Sequence, residues 1–238
     1  MRASRHSHAQ ALLEALAQPG CPICRLGARA VARALESLAY EQVTDPAVQA
    51  RFAAALGLCA SHGRQLLNRT SSGQGVAILY RAVIAAALRR LEQVSAEPAG
   101  GLLSLVRGRR ADGPAPGLAA LSPDAPCPAC QVEADAEQRA AQVLLEQLSH
   151  PDARSAYERS PGLCLPHLRL ALTLARPRQR PAAALLLAHA ASILRGLDQE
   201  LAEYVRKHDY RFQHEPYGAE RDAPARALTR FVGERGEC

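Results

Sequence analysis

Tryptophan is missing from this 238-residue chain, methionine occurs once, and aromatic residues make up 4% of it. A core anchored on large rings is thereby excluded. The 48% hydrophobic content excludes general disorder and leaves Ala, Leu and Val to do the packing, which suits close-packed helices. Lysine is nearly absent too: Lys207 is the one lysine among 29 basic residues. The arginines are scattered among glutamates, so the formal charge of +6 reads as a solvated surface, and nucleic acid is not expected as a partner. The one dense basic cluster, "RGRR" at Arg107 to Arg110, falls in a Gly- and Pro-rich stretch.

Long apolar runs are absent as well. The most apolar windows, Val76 to Leu88 and Ala182 to Leu194, are too short to span a bilayer and contain Arg81 and His189, so no membrane span is expected. Glu14 interrupts the apolar run near the N-terminus, which does not read as a secretory leader, and a cytoplasmic location is expected. No Gly-rich phosphate loop follows a strand, "SSGQG" at Ser71 to Gly75 reads as an interhelical loop, and no Ser, His and Asp arrangement stands out. A non-enzymatic role is the expectation, with no catalytic residue assigned.

What the chain does have is one pattern written twice. "CPIC" at Cys21 to Cys24 is answered by "CPAC" at Cys127 to Cys130, and "GLCASH" at Gly57 to His62 by "GLCLPH" at Gly162 to His167. The first pair of motifs is offset by 106 residues and the second by 105. Flanking stretches agree: Phe52 matches Tyr157, and "LRRLEQ" at Leu88 to Gln93 matches "LRGLDQ" at Leu194 to Gln199. The reading is an all-α protein of two tandem, duplicated helical-bundle repeats, each stapled by a Cys/Cys/Cys/His metal site. Residues 1–95 form the first repeat, 96–126 a Gly/Pro-rich linker with a short helical piece at Gly101 to Val106, 127–207 the second repeat, and 208–238 a C-terminal tail packing on the bundles.

Within each repeat, Pro22 and Pro128 suit the first position of a helix, which puts Cys21 and Cys127 at its N-cap; these helices should run to about Val43 and Leu148. Pro46 and Pro151 open a shorter second helix, and a third begins near the Cys and His of the second motif. A fourth covers Val76 to Val94 in one repeat and Pro181 to Arg206 in the other. The long helix carries the chain about 28 Å away from its CPxC motif and the short one returns about half of that. Extended residues can cover most of the remainder, so closure of Cys21, Cys24, Cys59 and His62 on one ion, and of Cys127, Cys130, Cys164 and His167 on another, is expected. A ligand set shared between repeats is the open alternative.

Paired cysteines in a reducing compartment favour metal over structural disulfides. Two ligands three residues apart on a helical turn chelate one ion, two such pairs complete a tetrahedron, and helix N-termini favour the thiolate form. Zinc, two ions per chain, is the expected metal; an iron-sulfur cluster is the competitor, since thiolate-rich sites suit both, and dithiol redox chemistry is the third reading. A closed four-ligand zinc site is structural. The other histidines lack such support: His189, in an Ala and Leu stretch, reads as packed or hydrogen-bonded, and His6, His8, His150, His208 and His214 have no counterpart in the other repeat.

The tail has no match in the first repeat. "HDYRFQHEPYG" at His208 to Gly218 gathers three of the nine aromatic residues, and reads either as a strap across the bundles or as a surface for an unknown protein or small-molecule partner through Tyr210, Phe212 and Tyr217. Together, the doubled CPxC and GLCxxH motifs and the segment Tyr204 to Leu228 resemble an uncharacterised bacterial family, a domain of unknown function. Its members carry CPxC and G-aromatic-CxxH twice and end in a segment like "DYR…PWG…D…RAI". Leu58 and Leu163 stand here in place of the aromatic, and Tyr217 in place of tryptophan. The resemblance implies the same ligand set and brings no activity with it.

Overall fold

The computed structural model describes residues 2–70, 73–96 and 121–234. All regular structure among them is helical: ten α-helices and two short 3-10 turns, with no strand. The order is α1 (Arg2–Leu16), α2 (Pro22–Tyr40), α3 (Pro46–Ala54), α4 (Ala60–Arg69) and α5 (Gln74–Ala96), followed by α6 (Pro128–Gln147), α7 (Pro151–Glu158), α8 (Leu165–Leu174), α9 (Arg180–Lys207) and α10 (Ala223–Val232). The expected helices of both repeats are therefore present at nearly the expected bounds. Two more, α1 and α10, had no such expectation, and the expected piece at Gly101 to Val106 lies outside the described residues.

Proline and short polar side chains set the starts. The Asp45 carboxylate accepts hydrogen bonds from the Ala47 and Val48 backbone N–H groups at 2.7 and 3.4 Å, with Pro46 in the first turn of α3. The four motif-opening cysteines share one job: the carbonyls of Cys21, Cys59, Cys127 and Cys164 accept the first intrahelical bonds of α2, α4, α6 and α8, from Arg25, Gly63, Gln131 and Leu168, at 2.8 to 3.1 Å. Each motif thus places one donor at an N-cap and its second donor in the following turn. Gly57 and Gly162, two residues before Cys59 and Cys164, hold φ of +96° and +74°. A Cβ at Gly162 would come within 2.8 Å of Ile193 Cδ1, so the glycine of "GLC" serves both a left-handed turn and a close approach.

The described chain packs as two compact units. One joins residues up to Ala30 with those from Glu133 onward, and the other comprises the described part of Val31–Val132. The units do not coincide with the sequence repeats, because α2 and α6 each contribute their first turns to one unit and the rest of their length to the other. In the first unit Leu12, Leu16, Ile23, Leu144, Tyr157, Leu168 and Leu186 form a buried core with Cys21, Cys24 and Cys164 in it. In the second, Val31, Leu35, Phe52, Leu66, Leu79 and Val83 form another. Phe52 and Tyr157, matched in sequence, are 4% and 0% exposed, each in the core of its own unit. No helix among the described residues is long and apolar enough to cross a membrane.

The C-terminal segment is ordered within the first unit by polar contacts. Lys207 Nζ donates to Glu220 Oε1 at 2.7 Å and to the Pro216 carbonyl at 2.8 Å, and the Gly218 N–H donates to the same Glu220 oxygen at 2.8 Å. Arg206 bridges Glu203 and Glu215. From there α10 packs on α8 and α9, and Arg230 donates to the carbonyls of Leu163 at 2.7 Å and Pro161 at 2.6 Å, clamping the loop that leads into Cys164.

Candidate metal centre

All eight donors singled out in the sequence are drawn into clusters, but not in the expected sets. Cys21, Cys24, Cys164 and His167 come together in the first unit, and Cys59, His62, Cys127 and Cys130 in the second. Closure within a repeat is corrected to closure between them: each cluster takes the CPxC of one copy and the CxxH of the other. The expected return is not made: the 19-residue α2 leads about 28 Å away from Cys21 and passes from the first unit into the second, the nine-residue α3 spans about 14 Å, and residues 55–58 do not carry the chain back over the remainder. Cys59 and His62 belong to the other unit.

In the first cluster, His167 Nδ1 lies 3.4, 3.2 and 3.1 Å from the Sγ atoms of Cys21, Cys24 and Cys164, and Cys24 Sγ lies 3.7 Å from Cys164 Sγ. In the second, His62 Nδ1 lies 3.3, 3.7 and 3.4 Å from Cys59, Cys127 and Cys130, and Cys130 Sγ lies 3.7 Å from Cys59 Sγ. Bonds of about 2.3 Å to sulfur and about 2.05 Å to nitrogen put tetrahedral edges at about 3.8 Å for S···S and about 3.6 Å for S···N. The donors therefore already sit close to the corners of a four-coordinate site, and both clusters are positioned to hold a metal ion. None of the six described cysteines is in a disulfide; Cys238 lies outside the described residues.

The two sites differ in their surroundings. Cys21, Cys24, Cys164 and His167 are 4, 4, 2 and 1% exposed, whereas Cys59, Cys127 and Cys130 are only half-buried around a buried His62. A second carboxylate layer backs the first site: Glu137 of α6, itself 1% exposed, brings Oε1 to 3.0 Å from His167 Nε2. The approach is close in distance without being a well-aligned hydrogen bond. It leaves Nδ1 facing the thiols and occupies the place that outer-shell carboxylates take beside metal-binding histidines. Burial pulls the His167 ring down, yet hydrogen bonds it donates to the Cys164 and Cys21 sulfurs outweigh it and raise its pKa to about 9. Hydrogen bonding with Cys164 and Cys24 holds the Cys21 thiol below its ordinary range.

Sequence reasoning missed Glu137 and the end of the tail. The signal for Glu137 was present: it shares a helical face with Ala140 and Leu144, an acid on an apolar stripe, where the first copy carries Val31. The tail crosses the first cluster directly. The Glu234 N–H donates to Cys24 Sγ at 3.4 Å, and Glu234 Oε1 accepts from the Cys21 N–H at 3.1 Å, on the N-terminus of α2. A cavity of about 340 Å³ borders Cys21 and Cys164 beneath Glu234 and Arg230. His189 fills the expected packing role, its Nε2 3.2 Å from the Ser160 carbonyl and its ring 4.9 Å from that of Tyr157.

A family model described as a family of unknown function, DUF6062, matches residues 11–237. The chain belongs to that family. The matched span takes in all eight donors of this family member, Glu137 and the tail through Glu234. Neither the curated proteins nor the solved structures returned a match.

Proposed function

We propose that this protein is a zinc-stapled helical binding module, holding one structural zinc ion in each cluster and acting as a scaffold for another molecule. The observation that carries the metal reading is the donor geometry: three thiols and one imidazole nitrogen, all within 4.8 Å of one another, in each of two units. Four protein donors fill a tetrahedron and leave no position for substrate, which is the pattern of a structural site. The short mutual distances favour a single ion over an iron-sulfur cluster, whose inorganic core would hold thiolates on different irons apart. Zinc suits the mixed thiolate and imidazole set better than a hard cation does. Bound there, zinc would supply cross-linking, since the residues that hold it come from distant parts of the chain.

The binding part of the proposal draws on the tail. Tyr210 is 81% exposed, and Leu228, Phe231 and Val232 of α10 are 64, 57 and 59% exposed, a large apolar display for a chain with nine aromatic residues. Phe212 is held between Arg206 and Arg211, their guanidinium carbons 4.6 and 5.4 Å from the ring centre. The Tyr217 ring lies tilted beside those of Tyr204 and His208, with centroids 5.7 and 6.0 Å away. The proposal places the protein in the reducing cytoplasm, with two repeats arisen by duplication.

Elemental analysis of the untagged protein tests the metal. About two equivalents of zinc per chain are expected. A coloured preparation that bleaches with dithionite would assign the same cysteines to iron-sulfur chemistry, and a metal-free protein with a Cys21–Cys24 disulfide would overturn the reading. For the partner, a pull-down with the protein in which Tyr210, Phe212 and Tyr217 are replaced by Ala should lose what the parent recovers; unchanged recovery would remove the tail from the proposal.

A further inference from the structure

The two clusters have the same donors and nearly the same internal distances, yet their environments are opposite. The first is the more deeply buried: its four donors are at most 4% exposed, the backbone of Gly233 and Glu234 lies over Cys24 and Cys164, a buried carboxylate lies beside its histidine, and a cavity approaches it beside Cys21 and Cys164. The second has three half-buried thiols, Cys59, Cys127 and Cys130. Cysteine oxidation follows thiolate character and access. Placement at helix N-termini is shared, because each cluster sits at two of them. Access is what separates them.

Resting on the zinc reading above, we infer that the second cluster is an oxidation-sensitive zinc site, in which a hydroperoxide joins Cys59 to Cys130 and releases that one ion. The pair is named by geometry, with Cys130 Sγ and Cys59 Sγ 3.7 Å apart across the cluster. The Cys130 thiolate attacks the outer peroxide oxygen, the O–O bond breaks, and the alkoxide leaves as an alcohol after taking a proton. The sulfenic acid so formed on Cys130 is attacked at sulfur by the Cys59 thiolate. The S–S bond forms and hydroxide departs, taking a second proton to become water. Two thiolates lose two electrons in all, and the peroxide gains them. The sulfurs close from 3.7 Å to about 2.0 Å, and a site stripped of two of its three thiolates no longer holds zinc. Reduction by a dithiol returns both thiolates, and the site rebinds zinc.

The first cluster serves as an internal control in the same molecule, since Cys24 and Cys164 are also 3.7 Å apart. If sulfur spacing alone governed the reaction, both clusters would oxidise together. A small oxidant entering by the cavity beside Cys21 and Cys164 would reverse the order.

The test uses the full-length wild-type protein, its zinc content measured beforehand. Hydrogen peroxide is added, zinc release is followed with a chromogenic chelator, and thiols are alkylated at intervals and mapped by mass spectrometry. The expected result is a first phase releasing about one equivalent, at least about tenfold faster than the second, with Cys59 and Cys130 in a disulfide and Cys21, Cys24 and Cys164 still reduced. Dithiothreitol and added zinc should restore the starting state. Release of both ions in one phase, no release, or a first disulfide among Cys21, Cys24 and Cys164 would overturn the inference. A protein that contains no zinc would sink the metal reading instead; its thiol map after peroxide still reports whether Cys59 and Cys130 pair first.

Discussion

Glu137 is a buried acid in the middle of a hydrophobic helical face, and such a residue persists only if something nearby repays its desolvation. His167 does so at 3.0 Å, and the ring so held presents Nδ1 to three thiols. Glu137→Gln should weaken zinc at the first cluster by about 10–100-fold, the usual effect of removing an outer-shell partner, and leave the second cluster unchanged. Competition with a calibrated chelator, resolved site by site through protection from alkylation, checks it; equal loss at both clusters would show general unfolding instead. Gly233 makes a separate residue-scale test. Its φ is +83°, while a Cβ there would sit in ordinary contact, 3.6 Å, with Cys24 and Cys164 Sγ. With ψ at −177° this is a region essentially reserved to glycine, so Gly233→Ala should cost about 1–3 kcal/mol through backbone strain alone, read as a lower thermal midpoint with metal content intact.

At the scale of elements, the helices of the two repeats were legible because their starts are written in proline and their lengths in apolar spacing. Pro22, Pro46, Pro128 and Pro151 each open the helix expected of them. The helix α10 had no counterpart in the first repeat to point to it, and its packing mixes polar and apolar contacts: Arg226 and Arg230 reach carboxylates and carbonyls and Ala223 is buried, while Leu228, Phe231 and Val232 are more than half exposed. The stripe itself is readable at helical spacing, but the sequence does not say which face packs. The segment before α10 depends on the Lys207 and Glu220 pair. A hydrogen bond from Lys207, with help from the Gly218 N–H, holds the Glu220 carboxyl down at about 2, below its ordinary 4.5. A depressed carboxyl contributes its stability above the unfolded value and loses it as pH falls. The tail should accordingly loosen between about pH 4.5 and 2, seen in the near-ultraviolet signal of Tyr210 and Tyr217, while Glu220→Gln should loosen it already at pH 7.

For the whole molecule, the donor list was readable from sequence and its partition was not. Both partitions offer Cys, Cys, Cys and His to each ion, so donor chemistry cannot choose between them; the path of the chain after α3 does, and the lengths of α2 and α3 left it undecided. The outcome ties Cys21 to His167 across 146 residues and Cys59 to Cys130 across 71. Structural zinc contributes on the order of 10 kcal/mol in small peptides, and at about 2–4 °C per kcal/mol its removal should lower the melting temperature by about 20 °C or more. A protease site inserted between Gly113 and Pro114 gives a sharper test. The cut halves should migrate together while zinc is bound and separate when it is chelated; separation with zinc still present would contradict the crosswise pairing.

Crosswise ligation also says what a chain of half this length would have to do. One CPxC and one CxxH at this spacing complete no centre by the geometry seen here. Two copies about a twofold axis would complete two, each lending its thiol pair to one centre and its Cys–His pair to the other. In those terms a single polypeptide carrying both pairs of motifs completes within itself what two half-length chains would complete only by associating, with an effective concentration in place of an association constant.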